Sequence, residues 1–176
     1  MESIEYWFQT WPLGELCVAT SPLGLRRILW SSSADREATR SRLGRELGQA
    51  ELHERKGDKE IQGQLEEFFA GQRKKFDLPI DPRPRSSFQE RVLRRLMHSR
   101  AGELFSYGEL ATAAGHPGAA RAVGRVMATN PLPIVIPCHR VVPADRTLGN
   151  YTGGIRIKKF LLGLEGLALP TKRGSR

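Results

Sequence analysis

Three closely spaced prolines divide this chain into two parts of different character. They lie in the segment Asp77–Arg85, DLPIDPRPR. Each proline removes a backbone N–H donor and biases the residue before it away from helix. Strand-like alternation precedes the segment and helix-like patterns follow it. We therefore predict domains at 1–80 and 81–170, followed by a short basic tail at 171–176.

The N-terminal part has the pattern of a small antiparallel sheet with helices. Apolar residues alternate within 4–30, and Ser21–Gly24 supplies turn chemistry, which indicates a hairpin or meander. Helical patterns follow at 35–48 and at 58–70, where Gly71 is a stop signal. These elements predict an α/β domain built on a small antiparallel sheet.

The second part reads as mostly helical. Ser87 and Glu90 form a predicted capping box, and Ser106 with Glu109 forms a second one. The sequence Gly-His-Pro-Gly at 115–118 separates that second helix from one at 119–129, and a last helix is expected at 156–164. Helix, glycine-containing turn and helix is the helix-turn-helix pattern. The fold class expected for the whole chain is α+β, with a winged-helix-like C-terminal domain.

An apolar run delivers a cysteine and a histidine to one place. Ile134–Ile136 reads as a strand and leads directly into Cys138 and His139. A thiolate, and not a thiol, is the nucleophile, and a nearby base or positive charge promotes its formation. His139 is a candidate base, and Arg140 adds positive potential. From this Cys-His pair alone, the better explanation is that Cys138 is a small buried hydrophobe and His139 a hydrogen-bonded polar residue.

Charge and cysteine content limit the classes of function. The net charge is +9, which favours a polyanionic partner, although a solvated basic surface or an anionic membrane would also fit. With only Cys17 and Cys138, neither a disulfide framework nor a structural zinc site is expected. A signal peptide and a membrane span are not evident, so we expect a cytoplasmic protein, nucleoid-associated if prokaryotic.

The cysteine motif lies in a longer stretch that is typical of one family. Arg121–Arg140, RAVGRVMATNPLPIVIPCHR, resembles the signature of the O6-alkylguanine-DNA alkyltransferases. Val141-Val142, Gly149–Gly154 and Leu161–Gly166 also match the family's pattern. The resemblance is close over residues 86–168. It is loose over the N-terminal half, which corresponds to the family's variable α/β domain.

The resemblance implies a role for five residues in alkyl transfer. Cys138 is the alkyl acceptor, and His139 withdraws its proton through a bound water. Glu165 orients His139. Tyr107 donates a hydrogen bond to the flipped guanine and helps to protonate it as it leaves. Asn130 is the hinge that links the recognition helix to the active-site segment.

The resemblance also implies how the chain holds DNA. Arg121 enters through the minor groove and fills the gap left by the flipped base. Ala119, Ala120 and Gly124 are small enough for a close approach of the recognition helix to the groove. Arg140 contributes positive charge near the DNA.

The implied base pocket combines backbone groups with two side-chain walls. Backbone groups at Cys138 and Val141 accept from the guanine amino group, and the N–H of Thr152 reaches O6. Tyr151 and Pro133 form the walls.

The expected activity is single-turnover repair without any cofactor. Double-stranded DNA carrying O6-alkylguanine is the expected partner, with O4-alkylthymine as a further substrate. The protein is expected to be a monomer that clusters cooperatively on DNA. The main alternative is an alkyltransferase-like protein that binds alkylated DNA without removing the alkyl group. A helix-turn-helix regulator that senses alkylation and a Cys-His hydrolase also stay open.

Overall fold

The computed structural model describes residues 2–48, 50–81, 83 and 85–171. The chain divides into two compact units, residues 1–83 and 84–176, so the division falls close to the predicted boundary at residue 80. Of the predicted basic tail, residues 172–176 lie outside the described part. Within that part, every helix is too short or too polar to cross a bilayer.

The N-terminal unit is built on a four-stranded sheet with the strand order β3-β2-β1-β4. β1 (Ser3–Trp11), β2 (Gly14–Ser21) and β3 (Gly24–Ser31) form the expected antiparallel meander. β4 (Glu51–Glu54) adds to β1 in the parallel direction. The sheet is therefore mixed and not purely antiparallel as predicted. The sequence did not reveal β4, because its four residues are too few to display an alternating pattern.

Two helices accompany this sheet, close to the positions that the sequence predicts. α1 spans Arg36–Leu47 and α2 spans Lys59–Phe69. Asp58 begins α2, because its Oδ1 accepts hydrogen bonds from the backbone N–H groups of Glu60 and Ile61 at 2.9 and 3.0 Å. Such a cap satisfies N–H groups that have no partner within the helix.

Alternating residues of β1 pack on opposite faces of the sheet. Ile4 and Tyr6 join a buried cluster that includes Leu43 of α1. On the other face, Trp11 contacts Phe69 of α2 with their rings 4.9 Å apart. The N-terminal unit is thus a sheet with apolar packing on both faces.

The described part of the C-terminal unit, residues 85–171, contains four α-helices and one short parallel pair of strands. Its elements are α3 (Ser87–Met97), β5 (Phe105–Ser106), α4 (Tyr107–Ala113), α5 (Ala120–Ala128), β6 (Val141–Val142) and α6 (Ile155–Leu164). α4 and α5 are adjacent and form the expected helix-turn-helix. The turn between them contains glycines with positive φ at 115 and 118, a conformation that glycine adopts without steric cost.

Capping boxes begin α3 and α4. At α4, Ser106 accepts from the N–H of Glu109, and the Glu109 side chain accepts from the N–H of Ser106. At α3 the pair is Ser86 and Gln89, so the prediction of Ser87 and Glu90 is wrong by one residue. Ser86 has the extended φ and ψ of a cap, whereas Ser87 already lies within the helix.

The segment before Cys138 is not a strand, contrary to the prediction. Residues 131–136 form bends and a turn, and Ile134 has a φ of 78°. A bulky residue rarely adopts a positive φ, so the surrounding packing must hold it there. All of residues 131–140 are buried, and Cys138–Arg140 is a single 3-10 turn.

Candidate active site

Cys138 lies at the floor of a cavity in the C-terminal unit. Its side chain is buried, with 7% of the residue surface exposed, yet it lines a cavity of about 260 Å³. The other residues of the lining are Tyr107, Gly124, Met127, Ala128, Asn150, Tyr151 and Thr152. Helices α4 and α5 and the segment that precedes α6 therefore meet around one sulfur atom.

The environment of the thiol contains opposing influences on its ionisation. Burial raises the pKa of Cys138, because the charged thiolate loses its hydration. Hydrogen bonds with Asn130 and Tyr151 and the positive charge of Lys158 act in the opposite direction. The Cys138 Sγ lies 3.7 Å from the hydroxyl oxygen of Tyr151. Since burial dominates, the resting group is a thiol that must lose its proton before it can attack.

His139 and Glu165 form a buried pair beside Cys138. The His139 Nε2 lies 2.9 Å from the Glu165 Oε1, and both side chains are almost fully buried. Burial lowers the pKa of His139, and the interaction with Glu165 offsets part of that effect. With Nε2 facing the carboxylate, Nδ1 is the ring nitrogen available to accept a proton. The structure brings these two predicted site residues into direct contact, and their roles in alkyl transfer stay predictions.

Glu165 stays ionised in this site. Burial alone would raise the pKa of its carboxyl group, but hydrogen bonds from His139 and Arg140 lower it to about 2. The backbone N–H of Gly102 also donates to Glu165 Oε2 at 2.8 Å. Glu165 thus presents a fixed negative charge to His139.

Arg140 does not lie where DNA could reach it, which corrects the expectation that it contacts DNA. Its side chain is 4% exposed. Its Nε and Nη2 donate to the Glu165 carboxylate at 2.8 to 3.0 Å, and its Nη1 donates to Ser99. A guanidinium paired inside the domain neutralises a buried carboxylate and is not available to a phosphate.

Asn130 connects the end of α5 to the turn that carries Cys138. Its Nδ2 donates to the carbonyl of Ile136 at 2.8 Å, and its Oδ1 accepts from the N–H of Leu132 at 3.1 Å. The buried side chain therefore satisfies two backbone groups of an irregular segment that cannot pair them in a sheet. The hinge role of Asn130 stays a prediction.

A fully buried lysine is a component that the sequence analysis missed. The Lys158 Nζ donates to the carbonyl of Val141 at 2.7 Å and lies 3.5 Å from that of Asn150. Burial lowers the pKa of Lys158 to about 8. A signal was present, because Lys158 precedes the buried Leu161 and Leu162 by three and four residues and so lies on the apolar face of α6.

The exposed side of the helix-turn-helix is basic. Val123 and Val126 of α5 face inward, whereas Arg121 and Arg125 are exposed one turn apart. Gly124 lines the cavity that contains Cys138. Ala119 and Ala120 are half-buried at the start of the helix. Small residues and two arginines are therefore presented beside the cavity.

The predicted pocket residues divide into two groups. Tyr107, Tyr151 and Thr152 line the cavity, and burial raises the pKa of both tyrosine hydroxyls, so they remain donors at neutral pH. Pro133 and Val141 are buried and do not belong to the lining of this cavity. Pro133 lies within the turn before Cys138, and the Val141 carbonyl is already bonded to Lys158. The sequence did not predict where Pro133 and Val141 lie, because it indicated a strand directly before Cys138 and not the observed bends and turn.

The second cysteine lies in a different environment. Cys17 is fully buried in the sheet of the N-terminal unit, and burial raises its pKa to about 12. His53 of β4 lies 3.7 Å from Glu51. Among the described residues, no three His, Cys, Asp or Glu side chains are grouped closely enough to hold a metal ion.

Both halves of the chain match family models. Residues 4–82 match "6-O-methylguanine DNA methyltransferase, ribonuclease-like domain", and residues 87–167 match "6-O-methylguanine DNA methyltransferase, DNA binding domain". The boundary between the two matches falls in the proline-rich segment.

Curated relatives share this similarity over different shares of their length. A Bacillus subtilis protein named "Methylated-DNA--protein-cysteine methyltransferase, constitutive" is 37% identical over 92% of this chain and 94% of its own length. A Mycobacterium tuberculosis protein named "Methylated-DNA--protein-cysteine methyltransferase" is 47% identical over 61% of this chain. That match spans 64% of the mycobacterial protein, just under two thirds.

Solved structures share the fold. The crystal structure of Mycobacterium tuberculosis OGT in complex with DNA superposes with a TM-score of 0.77 at 34% identity, covering 94% of this chain and 95% of that one. The O6-methylguanine methyltransferase of the same organism gives 0.76 at 35% identity, with 92% of each chain covered. The enzyme from Pyrococcus kodakaraensis, at 24% identity and a TM-score of 0.69 over 93% of this chain and 99% of that one, supports the fold alone.

Proposed function

Because this chain belongs to the 6-O-methylguanine DNA methyltransferase family, we propose that it repairs alkylated DNA by direct reversal. An O6-alkylguanine, or an O4-alkylthymine, is flipped out of duplex DNA, and its alkyl group moves to Cys138. One protein molecule repairs one lesion, because the thioether is stable. The observation that carries this proposal is the position of Cys138 on the floor of a cavity bordered by α5.

Binding and flipping depend on α4 and α5. The exposed Arg121 fills the space of the extruded base, while Gly124 and the two alanines that begin α5 allow a close approach to the minor groove. Flipping costs a few kcal/mol, and less where the pair is already weakened by damage. The flipped base enters the cavity bounded by Tyr107, Tyr151 and Thr152.

The chemical step is a nucleophilic displacement at the alkyl carbon. His139 accepts the thiol proton through a water molecule, and Glu165 stabilises the imidazolium that forms. The sulfur of Cys138 forms a bond to the alkyl carbon as the bond from that carbon to O6 breaks. The electron pair of the broken bond remains on the guanine. Tyr107, a protonated phenol beside the cavity, donates a hydrogen bond to the guanine and helps to protonate it as it leaves.

Mass spectrometry of the protein after reaction with duplex DNA containing O6-methylguanine tests the proposal. We expect one added methyl group per molecule, located on the peptide that contains Cys138. Cys17 is an internal control, because its buried thiol of high pKa should stay unmodified. Tight binding to the modified duplex with Cys138 unchanged would favour the alkyltransferase-like alternative instead.

Cys138→Ala separates binding from transfer. We expect this variant to lose all methyl transfer and to keep most of its affinity for the modified duplex, since the sulfur is not part of the exposed basic face. An equilibrium titration with labelled duplex measures the affinity. Methyl transfer that survives in Cys138→Ala would refute the assignment of the acceptor.

The oligomeric state and the cellular location of the protein are separate parts of the proposal. We propose a monomer that collects on DNA at high density and acts in the cytoplasm, on the nucleoid if the source is prokaryotic. Analytical ultracentrifugation with and without undamaged duplex tests the first part, and a fluorescent fusion tests the second. A stable dimer without DNA would contradict the first part.

A further inference from the structure

The turn that follows α3, Ser99–Gly102, holds the buried carboxylate of Glu165 at two points. The first is the N–H of Gly102, which donates to the Glu165 Oε2 at 2.8 Å. Gly102 has a φ of 81°, so another residue there would strain the backbone that presents this N–H. The second point of attachment is indirect and passes through Arg140.

Arg140 joins Ser99 to Glu165. Its Nε and Nη2 donate to the carboxylate at 2.8 to 3.0 Å. Its Nη1 donates to the Ser99 carbonyl at 2.8 Å and to the Ser99 Oγ at 2.6 Å. All three nitrogens of the guanidinium are therefore committed, which fixes the plane of the group relative to the carboxylate.

The Ser99 hydroxyl is oriented for this contact. It donates to the carbonyl of Leu96 at 2.5 Å, in the last turn of α3. A hydroxyl has one proton to donate, so its lone pairs face the Arg140 Nη1. The end of α3 thus supplies a pre-oriented acceptor for a buried cation.

We infer that Ser99 and Arg140 are positioning residues. They hold the Glu165 carboxylate against the His139 ring and limit how strongly that carboxylate stabilises the imidazolium. This inference rests on the proposed alkyl transfer, in which neutral His139 accepts a proton. A less restrained Arg140 would neutralise Glu165 less completely. The carboxylate would then stabilise the charged imidazolium more strongly and raise the pKa of His139.

Other charged groups near His139 stay the same when Ser99 is changed. The charged groups that act on His139 are Glu165 at the end of α6, Lys158 within α6 and its neighbour Arg140, and Cys138 precedes it in the chain. Of these groups, Arg140 hydrogen-bonds to Ser99. A change at Ser99 therefore reaches His139 through the Arg140–Glu165 contact.

The test compares Ser99→Ala with Ser99→Thr in the full chain. Ser99→Ala removes the hydroxyl, and Ser99→Thr retains it. Ser87→Ala, an exposed change at the start of the same helix, is the matched control. Two quantities are measured: the titration midpoint of the His139 ring by nitrogen-15 NMR, and the rate constant for methyl transfer from modified duplex as a function of pH.

For Ser99→Ala we expect a higher His139 midpoint, an acidic limb of the rate profile displaced to higher pH by about one unit, and a neutral-pH rate lower by at most about fourfold. Ser99→Thr and Ser87→Ala should match the parent protein. A purely structural role for Ser99 would lower the melting temperature without moving the midpoint, and that outcome would overturn the inference.

The NMR titration needs no substrate, so it judges this inference separately from the activity. If the parent protein transfers no methyl group, the proposed function fails, while the His139 midpoint still reports on the positioning role of Ser99 and Arg140. If transfer is intact and the midpoint is identical in Ser99→Ala and the parent, only this positioning role is refuted.

Discussion

At the level of single residues, the surroundings of Cys138 oppose the ionisation of its thiol. Desolvation raises the pKa of Cys138, and the surrounding donors and the Lys158 charge only partly oppose it. A thiol kept protonated at rest is protected from oxidation, which requires the thiolate. In the proposed function this proton has to be removed before transfer, and His139, paired with Glu165, is the proposed acceptor.

Acid should destabilise the C-terminal unit through Glu165. Its pKa falls from an ordinary value near 4.5 to about 2 in the folded protein, so folding favours the ionised form. This contribution is complete above pH 4.5 and is lost as the pH falls towards 2. It is worth up to about 3 kcal/mol. Urea unfolding followed by far-ultraviolet circular dichroism at several pH values measures it.

Glu165→Gln is the comparison for that titration. The variant leaves the Arg140 guanidinium buried without its anion, so we expect it to be about 3 kcal/mol less stable at neutral pH. The gap between the two proteins should close as the pH falls from 5 to about 2, because the parent then loses its own charge. A constant gap across that range would contradict the assignment.

Arg121→Ala should impair base flipping more than reaction with a free base. Arg121 is exposed on α5, and in the proposed function it fills the space of the flipped base without taking part in the chemistry at Cys138. We expect roughly tenfold or greater slowing of methyl transfer from duplex and little change with free O6-methylguanine. Arg125→Ala, one turn further along α5, is the control for a lost positive charge. Equal slowing in both variants would assign Arg121 to general attraction.

At the level of secondary-structure elements, the capping box at the N-terminus of α4 positions the helix that carries Tyr107. Ser106 ends β5 and begins α4, so the same residue fixes the strand pair with Val142 and the position of Tyr107. The Glu109 side chain completes the capping box through its Oε2 and reaches Arg146 through its Oε1 at 2.7 Å. The helix that carries Tyr107 is therefore tied to the loop after β6.

Changing the two caps should separate stability from activity. Ser106→Ala and Ser86→Ala each remove a side-chain acceptor for a helix N–H, and each should cost about 1 kcal/mol of unfolding free energy. Only Ser106→Ala should slow methyl transfer, because Tyr107 lies at the first turn of the affected helix. Thermal unfolding and single-turnover assays measure both effects. A similar slowing in Ser86→Ala would indicate a general loss of folded protein.

At the level of the whole molecule, the chain carries an excess of positive charge. Its net charge is +9, because it has 28 basic and 19 acidic residues. Many arginines are paired, as in Arg94 with Glu90 on α3, whereas the arginines of α5 are exposed. Phosphate neutralisation releases counterions, so DNA binding by such a face depends on salt.

Affinity for undamaged duplex should fall by at least about tenfold when monovalent salt rises from about 50 to about 200 mM. Fluorescence anisotropy with labelled duplex measures this dependence. The rate with free O6-methylguanine should stay constant over the same range, because that substrate carries no phosphate. An affinity that is independent of salt would show that the basic surface is not the DNA-binding surface.

Local patterns in the sequence predicted the main elements, whereas only the family resemblance singled out Cys138. Proline clustering predicted where the chain divides, and apolar periodicity predicted the meander and the helices. The capping box at Ser106 and Glu109 and the glycine-containing turn at 115–118 predicted the helix-turn-helix. The family resemblance assigned roles to Cys138, His139 and Glu165, and these roles stay predictions. The patterns that predicted the elements depend on interactions between residues close together in the chain.

The tertiary structure alone decided which groups meet across long separations. Ser99 and Arg140 are 41 residues apart, and Gly102 and Glu165 are 63 apart, so no local pattern relates them. The same is true of the parallel addition of β4 to β1. The prediction of a strand at Ile134–Ile136 was wrong. Buried packing and the Asn130 hydrogen bonds hold a turn there, although isoleucine and valine favour strands. Propensity is a property of a segment, whereas burial and charge pairing are properties of the assembled domain.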